Sequence, residues 1–360
     1  MKDSEYDYIF LGTGIISILE AIYHEKSGKK ILMIDKDKDI GGAWRPISVF
    51  DATGVENAIH YFLYDDLSPK FMKNNLNWNI QEATNKIRLI KVPFMSRYMR
   101  FKFHNSLGRF ISYAMNPDKN SNYLTFLFKL ISRVRNESNQ KSFYIEDGAK
   151  KIYDSVKSFL LNSNVNIVLN EDIDSFHVND EKKRVELKSN NKSYYSKKLI
   201  LTHGSRIKKI SSSFDSIEIE EKFHPRPAVH LLIKDVFKSD NKQWIFTNNH
   251  LIKYVHDVTH ISINTKKDHK IFVFALNHHI KQNENIFDTL KEELINANIL
   301  NKSAKLIDSK WTDVFLPALY DADLEDIKQK FYPYIDYLKT ENFSRGIGLY
   351  STKWSSKIKL

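Results

Sequence analysis

The run YDYIFLGTGIISILEAIYHEKSGKKILMID at residues 6–35 constrains the fold more than any other part of the chain. Tyr6 to Gly12 alternates and then runs apolar, as a buried parallel strand does. Gly12, Thr13 and Gly14 make a tight turn, and Ile15, Ile16, Leu19 and Ile22 then recur at helical spacing until Gly28 marks the exit. A second apolar strand, KKILMID, ends on Asp35. Strand, glycine turn, helix and strand in this order are the βαβ unit of a dinucleotide-binding sheet.

Each residue type has a physical reason. Gly12 permits the tight strand-to-helix turn. Gly14 presents no side chain to keep a pyrophosphate from the amides at the positive end of the helix, which begins at Ile15. Ser17 occupies the third glycine position of the usual fingerprint and is small enough for close helix-to-strand packing. Asp35 accepts hydrogen bonds from ribose hydroxyls and repels a 2′-phosphate, which points to FAD or NAD rather than NADP, and Lys36 follows it directly.

Beyond Asp35 stands GGAWRP, with Gly41 and Gly42 adjacent. Together with the βαβ unit, this pattern resembles the FAD-dependent oxidoreductases of the amine oxidase, protoporphyrinogen oxidase and UDP-galactopyranose mutase superfamily. The resemblance implies FAD as cofactor, with the glycine pair passing close to its ribose and pyrophosphate. Ala43 and Trp44 then join Gly12, Gly14, Ile15, Ser17, Asp35, Lys36, Gly41 and Gly42 as cofactor-binding residues. It also implies that VFDATGVENAIHYF returns as a strand beneath the flavin, where His60 would be the catalytic residue that hydrogen-bonds substrate or moves a proton.

Three later segments are similar to the same family in order. Gly148 precedes an amphipathic run (Ile152, Val156, Phe159, Leu160) and the strand VNIVLN. The hairpin KRVELKSNNKSYYSKKLILTHGS brings Thr202, His203 and Gly204 toward the cofactor. In TENFSRGIGLYSTKW, Gly346 and Gly348 permit a last close backbone approach. The implied fold class is α/β: a discontinuous Rossmann-like FAD-binding domain with a helical cap and an inserted antiparallel β substrate domain. The expected boundaries are 1–66, 143–215 and 311–360 for the FAD-binding parts, 67–142 for a mostly helical cap, and 216–310 for the substrate sheet.

Composition narrows the function classes. The 360 residues carry 55 Lys and Arg against 44 Asp and Glu, a net charge of +11, and no cysteine. The last fact excludes disulfides, thiolate metal sites and cysteine nucleophiles, and it fits a cytoplasmic protein. MKDSEYDY leads straight into a strand-like run, so no signal peptide is read at the start, and no apolar stretch reaches the roughly 18 residues of a transmembrane segment. Lysines interspersed with asparagines along the chain read as compositional bias rather than as a nucleic-acid-binding block.

Arg97 and Arg100, among the aromatic residues of MSRYMRFKFHNSLGRFISY, are candidate substrate residues for an anionic small molecule, since Arg grips phosphate bidentately. An RNA surface and an amphipathic element are the other readings of that run. His256 and His260 have zinc-like spacing, but YVHDVTHISI reads as a strand with structural histidines, and no metal site is expected. His278 and His279 read as a surface turn. The leading function is a FAD-dependent oxidoreductase using hydride transfer to or from flavin. The alternatives are a non-redox flavin-dependent nucleotide-sugar mutase and, because the chain runs only from Gly348 to Leu360 past its last glycine pair, a catalytically inactive flavoprotein-derived binding protein.

Overall fold

The computed structural model describes residues 5–57, 62–63, 72–74, 76–82, 86–102, 105–115, 122–138, 142–173, 175–189, 192–202, 204–219, 223–234, 243–317 and 321–338. The βαβ unit forms as its sequence dictates, with β1 at Glu5–Leu11, α1 at Ile15–Lys26 and β2 at Ile31–Ile34. β1 lies between β2 and the strand Ser193–Thr202, parallel to both, and Asn166–Val168 adds in parallel beyond β2. Arg184–Lys188 and Ser193–Thr202 form the expected hairpin. The whole is a nine-stranded sheet that also takes in Ile335–Leu338, parallel to the end of Ser193–Thr202.

Both faces of this sheet are covered, which is why Ile9–Leu11, Ile31–Ile34 and Leu199–Leu201 at its centre are apolar at successive positions. Phe10, Met33 and Ile200 point to one face and pack with α1 and the helix Gly148–Leu161. Ile9, Leu11, Leu32, Ile34, Leu199 and Leu201 point to the other, where Leu324 and Ile327 of the helix Asp321–Lys330 meet them. α1 is buried through its first two-thirds, from Ile15 to Ile22, so its position is set by packing of roughly 1.5–3 kcal/mol per large side chain rather than by helix propensity.

A second sheet of seven strands is built from the rest. Its order is Lys305–Pro317, Phe223–Lys234, His269–Leu276, Ile252–Asp257, Gln243–Thr247, Lys86–Lys91 and Tyr98–Lys102. All neighbours are antiparallel except Gln243–Thr247 and Lys86–Lys91, which run parallel. One face packs on the helix Ile286–Asn296 through Leu89, Trp244, Val255, Phe272 and Leu290.

Two features differ from the expected boundaries. The segment 67–142, read as mostly helical, supplies the strands Lys86–Lys91 and Tyr98–Lys102 before the helices Ser106–Ala114 and Tyr123–Ser138. Alternation in KIRLIK and a neighbouring strand edge decide this, whereas its charged residues suggest an amphipathic helix. Likewise Lys305–Pro317 runs across residue 310 and pairs along its length with Phe223–Lys234, so residues 311–317 belong to the antiparallel sheet. Among the described residues no helix is long and apolar enough to cross a membrane.

Candidate functional site

The glycine turn between β1 and α1 is an open cradle. Gly12 has φ +107°, a left-handed value that strains any other residue, and its amide donates to the Ile34 carbonyl at 2.8 Å, tying the turn to β2. Gly14 caps α1 with no side-chain hydrogen bond, and no acidic residue lies in the first helical turn. A Cβ built on Gly14 would meet nothing closer than Ser17 Oγ at 4.0 Å. The first intrahelical bond runs from the Ile18 amide to the Gly14 carbonyl, so the amides of Ile16 and Ser17 have no acceptor within the helix. Buried amides at a positive helix end, with room in front of Gly14, suit a phosphate.

The glycine pair closes the other side. Gly41 (φ +100°) forms a bridge with Gly14, and its amide donates to the Thr13 carbonyl at 2.8 Å. A Cβ on Gly42 would stand 3.6 Å from Gly14 Cα. Ala43, exposed, and Trp44, half-buried against the core, complete a 3-10 turn at Gly42–Trp44.

Asp35 has a task that spacing did not reveal. Its Oδ2 accepts from the Thr13 amide at 2.7 Å and the Thr13 hydroxyl at 2.6 Å, while Oδ1 accepts from the Asp37 amide at 2.9 Å. A carboxylate offers about four lone-pair sites, so one of them can still serve a ribose hydroxyl. The acid therefore holds the glycine turn in shape and keeps spare acceptor capacity. Thr13, fully buried, is the residue sequence reasoning passed over, and its hydroxyl next to two glycines was the available signal. Lys36 lies close to Asp35, Asp37 and Asp172, and burial together with the Arg206 charge lowers its pKa.

The loop after β2 is clamped from two directions. Arg45 Nε donates to the Ile40 carbonyl at 3.1 Å, and its Nη2 reaches the Asp39 carbonyl at 2.6 Å and Asp37 Oδ2 at 3.0 Å. The Tyr153 hydroxyl, from the helix Gly148–Leu161, donates to Asp39 Oδ2 at 2.7 Å. The N-terminal turn of that same helix holds a second acid. Glu56 Oε1 accepts from the Ala149 amide at 3.0 Å, and a Cβ added to Gly148 (φ +62°) would stand only 3.1 Å from that oxygen.

Glu56 leads to the second face of the seven-stranded sheet. That face packs Ile271 and Val273 on Val49, Ala52 and Val55, the hairpin following the glycine pair. Across it runs a buried polar row set by strand register. Lys86 lies opposite Gln243, Gln243 opposite His256, His256 opposite Val273, and Val273 opposite His230. The fully buried His230 shares a hydrogen between Nε2 and the Glu56 carbonyl at 3.0 Å. A carbonyl only accepts, so Nε2 carries the proton and Nδ1 is the lone-pair nitrogen. Burial lowers the pKa of both His230 and His256 to about 4, and it lowers that of Lys86, beside the Arg109 charge, to about 7. Arg88, one strand face along from the row, donates to Ser112 Oγ at 2.6 Å, and Ser112 Oγ is 3.1 Å from Thr247 Oγ1. Lys86, Arg88 and Arg109 thus concentrate three buried cations at one end of this face.

The structure distributes the sequence candidates unevenly. Gly12, Gly14, Ile15, Ser17, Asp35, Gly41, Gly42, Ala43 and Trp44 fall on the one glycine cradle and its rim, and Lys36 lies beside it. The side chain of Thr202 also arrives there, its Oγ1 3.7 Å from a Cβ built on Gly12. His60, His203, Gly346 and Gly348 lie outside the described residues. Arg97 is exposed on a turn. Arg100, opposite Leu89, belongs to the apolar face, where it donates to the Ala297 carbonyl at 2.5 Å and to that of Asn298, capping the helix Ile286–Asn296. Neither arginine joins the polar row; Arg109 does. His256 is on a strand as expected, but the strand stops at Asp257 and His260 sits in the 3-10 turn Thr259–Ile261, with ring centroids 6.0 Å apart. Among the described residues no group of three His, Asp or Glu could hold a metal ion. His278 and His279 are in an exposed turn.

No family model and no curated protein matches this sequence. Solved structures do match its fold. A putrescine oxidase bound to putrescine superposes with a TM-score of 0.66 at 11% identity, covering 98% of this chain and 99% of that one. An oxidoreductase from Methanosarcina mazei gives 0.61 at 10% identity over 98% and 100% of the two chains. A CLA-producing fatty acid isomerase from P. acnes gives 0.58 at 11% identity over 99% of each. Over nearly its whole length the chain shares the fold of these structures.

Proposed function

We propose that this protein is a FAD-dependent oxidoreductase acting on a small-molecule substrate. The observation that carries the reading is the open glycine cradle: Gly14 with clear space before it, Gly12 and Gly41 in left-handed conformations, and a buried helix start with neither a side-chain cap nor a first-turn acid. In this reading the turn Gly12–Gly14, the start of α1 from Ile15 to Ser17 and the pair Gly41–Gly42 hold the FAD pyrophosphate, and Asp35 accepts from its ribose. FAD, when bound, accepts or donates the hydride. The flavin-binding part is the nine-stranded sheet with its helices, and the seven-stranded sheet is the substrate part.

The polar row then faces the substrate. Neutral His230 and His256 offer proton acceptors in a dry setting, and Lys86, with a pKa of about 7, exchanges a proton near neutrality. The resemblance assigns a similar proton-handling role to His60. Lys86, Arg88 and Arg109 favour an anionic substrate, and the same three cations are what a nucleotide-sugar mutase would use. The mutase reading differs in needing reductant without consuming it in each turnover. The lack of cysteine supports a cytoplasmic setting.

The first test is the visible spectrum of the purified protein before and after dithionite, with the released cofactor identified by mass. A bleachable flavin spectrum with FAD released is expected. Asp35→Ala should weaken FAD retention by about 100-fold or more, because it removes a ribose partner and frees Thr13 from the turn. A colourless protein that takes up no added FAD would sink both enzyme readings and leave a binding protein that has lost its cofactor.

A further inference from the structure

The buried polar row has a neighbour on the same face of the seven-stranded sheet. Two residues along each strand, the same register sets Arg88 opposite Ile245, Ile245 opposite Tyr254, Tyr254 opposite Ala275 and Ala275 opposite Ala228. Beyond Arg88 this second row is apolar or aromatic. Ile245, Tyr254 and Ala275 are half-buried, whereas Gln243 and His256 beside them are buried, and the two alanines leave the row shallow past Tyr254.

The row begins in a charge that the fold leaves uncompensated. Arg88 is only 8% exposed, yet among the described residues no carboxylate pairs with it. Its Nη1 donates to Ser112 Oγ at 2.6 Å and its guanidinium carbon lies 5.8 Å from the centre of the Tyr113 ring, while its Nε is buried without an acceptor. A neutral hydroxyl and a ring offset only part of what burying a cation costs. The charges around it have the same sign. Lys86 is two residues away on the same strand, and Arg109, one helical turn before Ser112, bears on Lys86 and lowers its pKa. A guanidinium held in this way works against the fold and in favour of an anion bound from outside.

The guanidinium edge and the row together select the anion. Nε and Nη2 form the planar edge that pairs bidentately with a carboxylate. The side chains of Ile245, Ala275 and Ala228 offer no hydrogen-bonding group, so the hydroxyls of a sugar or ribose laid along them would be buried unpaired. From the strand of Arg88 to that of Ala275 is three inter-strand steps, about 14 Å, which is room for an apolar body beside the polar row.

We propose that Arg88 binds the carboxylate of an amphipathic small molecule whose apolar body lies along Ile245, Tyr254 and Ala275. That this ligand is the substrate rests on the flavin reading above; its binding does not. The test is calorimetric titration of the full-length protein with straight-chain carboxylates from hexanoate to dodecanoate and with the alcohols of matching length, flavin content being read separately from the absorption spectrum. At least one carboxylate should bind at least about tenfold tighter than its alcohol, the margin a charge-assisted pair provides. In Arg88→Met the margin should vanish while the alcohol still binds, and in Arg88→Lys, which keeps the charge and loses the fork, it should shrink. Equal affinity for acid and alcohol in the wild type overturns the proposal. So does a full margin in Arg88→Met, or UDP-galactose binding more tightly than every carboxylate. A flavin-free protein that keeps the margin sinks the flavin reading alone, and a flavin-loaded protein without it sinks this proposal alone.

Discussion

Gly14→Val is expected to empty the protein of flavin while leaving its fold standing. At Gly14 the backbone is extended (φ −61°, ψ 154°), a conformation valine adopts readily, and the space beyond its Cβ is clear to 4.0 Å. Replacing an N-cap glycine with an apolar residue costs the helix no more than about 1 kcal/mol. The two valine methyls would nevertheless stand where a pyrophosphate must approach the amides of Ile16 and Ser17. FAD affinity should fall by at least about 100-fold, equivalent to roughly 2.8 kcal/mol, as read by titrating apoprotein with FAD. Gly12→Val is the contrasting control: at φ +107° any side chain strains the turn, so stability and flavin should be lost together. A Gly14→Val protein that binds FAD as tightly as wild type would show that the cradle holds no pyrophosphate.

Acidification from about pH 6.5 to about pH 4 should destabilise the protein by on the order of 3 kcal/mol for each of His230 and His256. Burial holds both rings neutral, with pKa values lowered to about 4 from an ordinary 6.5. Between those two values the unfolded chain binds more protons than the folded one, so stability is complete above pH 6.5 and falls as the pH drops through the window. The charges around the two rings are of both signs, Glu56 and Asp257 favouring His256 protonation and Lys86 and Lys310 opposing protonation of His256 and His230 respectively. Lys86 acts in a different window: its lowered pKa makes stability rise with pH from about 7 toward the ordinary lysine value. Urea unfolding across pH 7 to about 4 should therefore be much flatter for His230→Gln/His256→Gln than for wild type, the remaining slope coming from carboxylates. Gln at position 230 can still donate to the Glu56 carbonyl, which separates loss of titration from loss of the hydrogen bond. An unchanged slope would mean the two histidines are accessible to protons in the folded state.

The helices of residues 106–138 join the two faces of this picture. Ser112 of the inner helix meets Arg88 at the end of the polar row, while Leu107 and Phe110 of that helix face outward. A single short element thus covers one end of the polar row and leaves its own apolar pair exposed.

Much of the nine-stranded sheet was legible in the sequence because it is local. Gly12, Gly14 and Asp35 lie within one βαβ unit, where periodicity of 2 and 3.6 residues and the steric freedom of glycine dictate geometry directly. The hairpin ending at Thr202 and the helix after Gly148 were readable for the same reason. Arg97 and Arg100 were misleading candidates, since residue type and aromatic company do not say which face of a strand a side chain takes. Strand register puts Arg100 on the helix side and Arg88 on the polar side.

The sequence by itself determined the βαβ unit, the strand-rich second half and the acid at the end of β2, because those depend on neighbours a few residues apart. Only the tertiary structure decided that Lys86, Gln243, His256 and His230 form one buried row, that Glu56 joins it to the helix Gly148–Leu161, and that Arg109 rather than Arg100 faces inward. Those residues come from strands far apart in the chain, and their meeting depends on inter-strand register and on which sheet face is buried, which no local spacing encodes.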